Sequence, residues 1–203
     1  MPRKRRIRDS ARGSAIILDA ARELVLERGP DEVSLREIAS RAHFSPAGLY
    51  EYFESKEAIL GALGREVSGR LRARMASVPD TLPPPRRLVR LAQAYLTFAR
   101  ESPQDYLLLF GRLRSKRNSG QEPIEPSSPF ALVFAAVLDG IAAGELHTEE
   151  GFGADEISYS LWALVHGMAM LQATHLATYK ADFEEVDRRA VEKFIAGLRG
   201  RAR

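Results

Sequence analysis

The run Ser34–Glu57, Ser-Leu-Arg-Glu-Ile-Ala-Ser-Arg-Ala-His-Phe-Ser-Pro-Ala-Gly-Leu-Tyr-Glu-Tyr-Phe-Glu-Ser-Lys-Glu, constrains the fold more than any other stretch of this 203-residue chain. Ser34 followed three residues later by Glu37 is a capping box, whose reciprocal side chain–backbone bonds fix a helix start. Leu35, Ile38, Ala39 and Ala42 then recur at helical spacing, which buries one face and turns Arg36, Glu37, Ser40 and Arg41 outward. His43-Phe44 make the turn. Ser45-Pro46 is an N-cap with proline at the first helical position, the preferred chemistry for a new start. Leu49 and Phe53, four apart, anchor the second helix and leave Ala47, Tyr50 and Glu51 exposed. The motif, residues 34–53, reads as a helix-turn-helix whose second helix fits a DNA major groove.

Charge is placed unevenly around that motif. Residues 1–12 carry six basic side chains and one Asp, and residues 61–118 carry twelve basic and four acidic ones. Residues 119–203 reverse the balance with seven basic and thirteen acidic, so the total of +3 hides a basic front and an acidic rear. A protein presenting one end to phosphates has this asymmetry. Cysteine is absent, which excludes a disulfide framework and suits a reducing cytoplasm. No apolar run approaches the ~18 residues of a membrane span, so no membrane role is expected. The basic N-terminus lacks the apolar stretch of a secretion signal.

Periodicity predicts an all-α chain. Helices are expected at about 14–28, 34–42, 45–53 and 55–76, then at 86–101, 103–115, 128–143, 154–178 and 183–199. Pro79 and Pro83-Pro84-Pro85 stop any helix, because proline lacks the donor and crowds the preceding turn. Residues 115–129 contain three prolines and few apolar groups, which predicts a loop. The expected organisation is a basic arm over 1–13, a three-helix DNA-binding domain over 14–63, and a helical ligand-binding and dimerisation domain over 64–203.

The segment Leu49-Tyr50-x-Tyr52-Phe53-x-Ser55-Lys56-Glu57-Ala58-Ile59-Leu60 resembles the signature of the TetR family of bacterial repressors around its third and fourth helices. Ile17-Leu18-Asp19-Ala20-Ala21-Arg22-Glu23-Leu24, then Glu27-Arg28-Gly29, resembles the family's first helix and its glycine terminator. Together the resemblance spans about residues 14–63. It implies a dimeric regulator of a palindromic double-stranded DNA operator, usually a repressor, that responds to a small molecule and needs no cofactor.

Candidate DNA contacts follow from residue chemistry together with that resemblance. Two hydroxyls and an ammonium, on Tyr50, Tyr52 and Lys56, can fix register on phosphates without reading sequence. For Tyr52 the alternative is packing against helix one. Ser45 caps its helix, bonds a phosphate, or does both. Arg36 matches a position where the family often contacts a base or phosphate, and arginine can bind guanine O6 and N7 bidentately; a solvated surface arginine is the alternative. Pro46, Ala47 and Gly48 would permit close groove approach, with Ala47 able to meet a thymine methyl. Glu51 would face DNA at an electrostatic cost unless it accepts from cytosine N4. Arg3, Lys4, Arg5 and Arg6 precede any periodic structure and would reach backbone or minor groove as an arm, or remain a solvated tail.

In the rear, Ile157–Leu171 is apolar nearly all round, which predicts burial on several sides. Trp162, His166 and Gly167 resemble a Trp-x-x-x-His-Gly element of one TetR subgroup. Trp162 and His166 share a face, and His166 is either a polar anchor in a cavity or a core histidine bonded to a carbonyl. Tyr95, Phe98, Phe110, Phe134 and Met170 join them as candidate lining of an apolar effector site, with Tyr106 and Phe130 nearby; plain core is the alternative for each. Val191, Phe194, Ile195 and Leu198, in a stripe with Val186 and Ala190, are the expected dimerisation residues of an intermolecular four-helix bundle.

The rival class is an enzyme or carrier. His43, His147, His166 and His175 show no helical metal spacing, and neither a nucleophile elbow nor a glycine-rich phosphate loop occurs, so no catalytic or metal residue is expected. A regulator answering to a protein partner instead of a ligand remains a second alternative.

Overall fold

Prolines set many of the helix starts. Proline's missing N–H costs nothing in a first turn, where that donor has no intrahelical partner, and its fixed φ already suits the helix. The computed structural model describes residues 2–112 and 125–199, the side chains of 2–10 and 112 excepted. Within those residues lie nine α-helices: α1 Pro2–Arg28, α2 Leu35–Arg41, α3 Pro46–Tyr50, α4 Lys56–Ala76, α5 Pro84–Glu101, α6 Pro103–Leu107, α7 Pro129–Ala142, α8 Ala154–Ala173 and α9 Phe183–Leu198. Five of them open on proline. A π-helical turn, Leu108–Arg112, continues α6, and the described residues contain no strand beyond a single bridge between Glu149 and Phe152.

Several boundaries differ from the sequence reading. Helix α1 starts at Pro2 instead of about 14, so Arg3, Lys4, Arg5 and Arg6 sit on helical backbone where an arm without periodic structure is expected; their side chains lie outside the described residues. Pro84 and Pro85 begin α5 instead of ending a connection. Helix α3 closes at Tyr50, three residues early. The expected 103–115 helix is α-helical only to Leu107. Helix α8 stops at Ala173, where the Thr174 hydroxyl donates back to the Met170 carbonyl at 2.6 Å, a local competitor to continued helix. Most of the expected 115–129 loop lies outside the described residues.

The chain divides into two units. One holds α1–α3, α4 through Val67, and α6 with the π-helical turn; the other holds the rest of α4, α5 and α7–α9. The first unit therefore takes in residues after Pro103 that the sequence reading grouped with the rear domain. Its core is built on Ile17, Val25, Ile38, Leu49, Ile59 and Tyr106, all fully buried. Arg22 of α1 pins two other elements there, donating to Glu66 of α4 at 2.6 Å and to Asp105 of α6. In the second unit α5 contacts α7, α8 and α9, which makes it the central helix. Leu91, Tyr95 and Leu96 of α5 are buried there with Val137, Leu161 and Val191.

Candidate nucleic-acid interface and effector core

The reading motif is assembled from local chemistry. Ser34 N donates to Glu37 Oε2 at 2.9 Å and Glu37 N to Ser34 Oγ at 3.3 Å, closing the capping box. The Ser34 hydroxyl, donating to the same carboxylate, holds the Glu37 carboxyl below its ordinary value. Helix α2 then ends in a Schellman motif: Phe44 N donates to Ala39 O at 2.8 Å and His43 N to Ser40 O at 3.2 Å. The left-handed residue of that motif is His43, at φ 59°, where glycine is the usual occupant. Ser45 Oγ accepts from Gly48 N at 3.0 Å and starts α3. Ser45 is a cap, and its exposure leaves its second lone pair open to solvent.

On α3, Leu49 is buried at 1% exposure while Tyr50 is 57% exposed. Pro46, Ala47 and Glu51 are exposed with it, and Gly48 is half-buried. Arg36 of α2 is also exposed and makes no ion pair among the described residues. Its neighbour Arg41 is committed elsewhere, to Glu23 at 2.9 Å and Glu27 at 3.1 Å of α1. Lys56 Nζ donates to the Pro30 carbonyl at 3.1 Å, which ties the α1–α2 loop to the start of α4. An ammonium has three donors, so that bond leaves two for a phosphate.

Tyr52 occupies the packing position that the sequence left as its alternative. The ring is half-buried, edge-on to Phe44 at 5.5 Å. It lies so close to Gly13 of α1 that a Cβ there would come within 2.5 Å of the ring carbons and 2.6 Å of the hydroxyl oxygen. Gly13 was not singled out in the sequence, and nothing local could have done so: its role is set by a ring 39 residues away. His43's conformation was equally hidden, although the bonds that close the α2–α3 turn require it.

In the second unit the aromatic candidates divide. The Tyr95 phenol lies 2.9 Å from His166 Nδ1, and the Tyr95 ring meets Trp162 edge-on at 5.0 Å. With the phenol donating, a neutral imidazole carries its own proton on Nε2. Burial holds His166 below its ordinary value of 6.5, which favours that neutral form. Phe130 joins at 5.4 Å from Trp162 and stacks on Phe134. Phe98 is buried one turn beyond Tyr95, and Met170, half-buried, lies one turn beyond His166. Phe110 falls in the first unit, 5.0 Å from Tyr106. The void among Met75, Leu91, Tyr95, Val133, Leu161 and Trp162 is only about 10 Å³, room for one water at most.

Helix α9 corrects the expected dimerisation set. Val191 and Ile195 are 1% and 3% exposed within the subunit and are core residues. The rotation of the helix is fixed one turn earlier by Asp187, which accepts from Arg100 at 2.9 Å and from Gln172 at 2.9 and 3.0 Å. That draws the row Asp187, Val191, Ile195 inward. Phe194 and Leu198 are half-buried, and Val186 is 58% exposed. Helix α8 is likewise less enclosed than its composition predicts, with Tyr159 70% and Leu171 50% exposed. No cluster of three or more His, Asp or Glu side chains suited to a metal occurs among the described residues. No helix there is long and apolar enough to cross a membrane.

Residues 17–63 match the family described as bacterial regulatory proteins, tetR family, and residues 88–194 match a tetracyclin repressor-like C-terminal domain. An uncharacterized HTH-type transcriptional regulator of Mycobacterium tuberculosis is 38% identical over 88 residues, covering 43% of this chain and 44% of that protein. The match therefore spans less than half the length of that relative. The uncharacterized regulator YobS of Bacillus subtilis is 25% identical over 186 residues, 90% of this chain and 91% of its own. The transcriptional activator FasR of Mycolicibacterium smegmatis is 34% identical over 104 residues, 51% of this chain and 47% of its own. Among solved structures, a Rhodococcus sp. RHA1 protein of unknown function superposes with a TM-score of 0.74 at 26% identity, covering 93% and 96% of the two chains. FadR of Bacillus subtilis, solved with stearoyl-CoA, superposes at 0.73 with 19% identity, over 91% and 98%. That last likeness is one of fold.

Proposed function

The chain belongs to the TetR family of bacterial regulatory proteins, and from that membership we propose that it binds a palindromic operator as a homodimer in the cytoplasm and releases it on taking up an apolar small molecule. The observation that carries the DNA half is the exposed face of α3, with Tyr50 projecting beside Ala47 and Glu51 from a helix anchored by Leu49. Tyr50, Lys56 and the Ser45 hydroxyl position the helix on phosphates, and Arg36 reaches a base edge or phosphate. Tyr52 contributes its ring to packing and at most its hydroxyl to the backbone. Glu51 reads a cytosine N4. The basic residues Arg3 to Arg6 add phosphate or minor-groove contacts. Since α3 itself carries no basic side chain, affinity leans on these flanking cations.

One such helix reads too few bases to be specific, whereas two held one DNA turn apart read a palindrome. The exposed apolar residues Tyr159 and Leu171 of α8, with Val186, Phe194 and Leu198 of α9, supply a surface for the second subunit. An effector would enter around Tyr95, Trp162 and His166. Because that core is nearly closed, the effector must select an opened arrangement, and it shifts the equilibrium only by its differential affinity for the two states. Repression is the expected sign for the family, although one relative is an activator by name. The same closed core favours a second reading, a regulator answering to a protein partner in place of a ligand.

Fluorescence anisotropy on labelled duplex from upstream of the gene, with random-duplex competitor, tests the proposal. The expected result is saturation at two subunits per duplex, a steep salt dependence, and a loss of about tenfold or more in Tyr50→Ala. Binding equal to that of random DNA and unchanged in Tyr50→Ala would overturn it.

A further inference from the structure

Apart from the aromatic core, the second unit holds an open groove of about 730 Å³ between the turn around Pro79 and Leu82, the first turns of α5 and the end of α9. None of its lining residues belongs to the Tyr95–Trp162 cluster. The volume lies in the range of small-molecule sites, roughly 300–1,000 Å³. Leu82, Val89 and Ile195 give it an apolar surface, and four arginines line it against a single glutamate.

The pairing of those charges decides what the groove can hold. Arg188 donates to Glu185 at 2.8 Å and to Glu192 at 2.6 Å, so the one carboxylate of the lining is already neutralised. Arg86, Arg90 and Arg199 are exposed, and none has an ion pair among the described residues. Arg90 reaches only Gln93, at 3.4 Å. Arg86 and Arg90 stand four apart on α5 and so share one face. Helix α5 is 18 residues long and has no side chain capping its N-terminus, so the positive end of its dipole adds to the same field. Three guanidinium groups with no ion pair among the described residues, beside an apolar wall, suit a molecule with both an acidic head and an apolar body. Guanidinium is planar and binds carboxylate bidentately, which favours a carboxylate head.

We propose that this groove binds an amphipathic organic carboxylate, its apolar body against Leu82, Val89 and Ile195 and its head among Arg86, Arg90 and Arg199. The site shares no lining residue with the core entry route proposed above.

Titration calorimetry of the full chain with decanoate tests this, using decanol and inorganic phosphate as partial ligands. The expected result is saturable decanoate binding at one per chain, with decanol and phosphate each far weaker. Arg86→Ser with Arg90→Ser removes the head contacts and is expected to weaken decanoate by about tenfold or more. Val89→Glu places a carboxylate on the wall and is expected to abolish it. Arg86 and Arg90 are exposed and Val89 is half-buried, so an unchanged helical circular dichroism melt identifies variants that remain folded. Decanoate binding equal in wild type and in all variants would overturn the proposal by placing the molecule elsewhere. So would variants that change the sedimentation mass and leave decanoate affinity intact, because the groove would then be a contact between copies of the chain.

Discussion

Helix α3 is five residues long and turns most of its side chains to solvent, whereas α8 is twenty residues long and sets Trp162 and His166 against the buried Tyr95. A five-residue helix has no stability of its own, since nucleation outweighs the few bonds it gains. It exists because Ser45 caps it, Pro46 presets its first turn, Leu49 is fully buried and the Tyr52–Gly13 contact holds the chain that follows. Helix α8 is held by tertiary packing, and its His166 meets a partner on α5, Tyr95, 71 residues earlier. The first is a surface fixed by local rules. The second is an interior fixed by distant ones.

Core truncations should separate the two most sharply. Leu49→Ala and Leu161→Ala each remove a buried leucine and should each cost about 2–5 kcal/mol of local stability. Trp162, the single tryptophan, lies in the second unit and reports on that unit alone. Leu49→Ala should abolish operator binding with little change in the tryptophan-monitored denaturation midpoint, while Leu161→Ala should lower that midpoint. Coincident shifts in both variants would show one cooperative unit and break the comparison.

The same contrast explains what the sequence made legible. The Ser34–Glu37 capping box, the Ser45-Pro46 start, Leu49's burial and Tyr50's exposure depend on neighbours within four residues, and each can be read from spacing. So can the helix-turn-helix and the all-α architecture. The orientation of α9 cannot: Val191 and Val186 are alike in the sequence, and only the Asp187 bonds to Arg100 and Gln172 decide which faces inward. Phe110 and Phe134 both read as candidate lining of one effector site, yet the segment after Pro103 joins the other unit. Gly13 and the arginine groove were missed for the same reason. The i, i+4 pair Arg86 and Arg90, next to prolines in a basic stretch, was the one local signal available.

Gly13 offers a smaller and more specific test of how α3 is supported. Gly13→Ala would push a methyl into the Tyr52 ring and should destabilise the first unit by about 1–3 kcal/mol, the usual cost of overpacking. Hydrogen exchange of the α1–α4 amides measures it. Tyr52→Phe keeps the ring and should leave stability nearly unchanged, so any loss of operator affinity in that variant assigns a DNA contact to the hydroxyl. In the opposite direction, His43→Gly relieves a left-handed residue and should stabilise the same unit by about 1 kcal/mol. An equal or lower stability would mean that the imidazole contributes to the turn.

The smallest expected effect lies in the second unit and depends on pH. Burial lowers the His166 value below 6.5, so as pH falls through 6.5 the unfolded chain takes up a proton that the folded chain resists. Stability is therefore lost on acidification in the window below 6.5 and gains nothing from this group above it. Asp187 has the reverse sign: burial raises its value above 3.8 despite Gln172 and Arg100, so the folded chain takes up its proton first. Acidification toward 3.8 thus relieves a penalty present at neutral pH. Denaturation midpoints read from Trp162 should fall between pH 7 and 5.5 in the wild type and stay flatter in His166→Gln, which cannot titrate. Equal slopes in the two proteins would mean that the imidazole is protonated as easily in the folded state as in water, and the neutral Tyr95–His166 pair that distinguishes this interior from the reading surface would have to be given up.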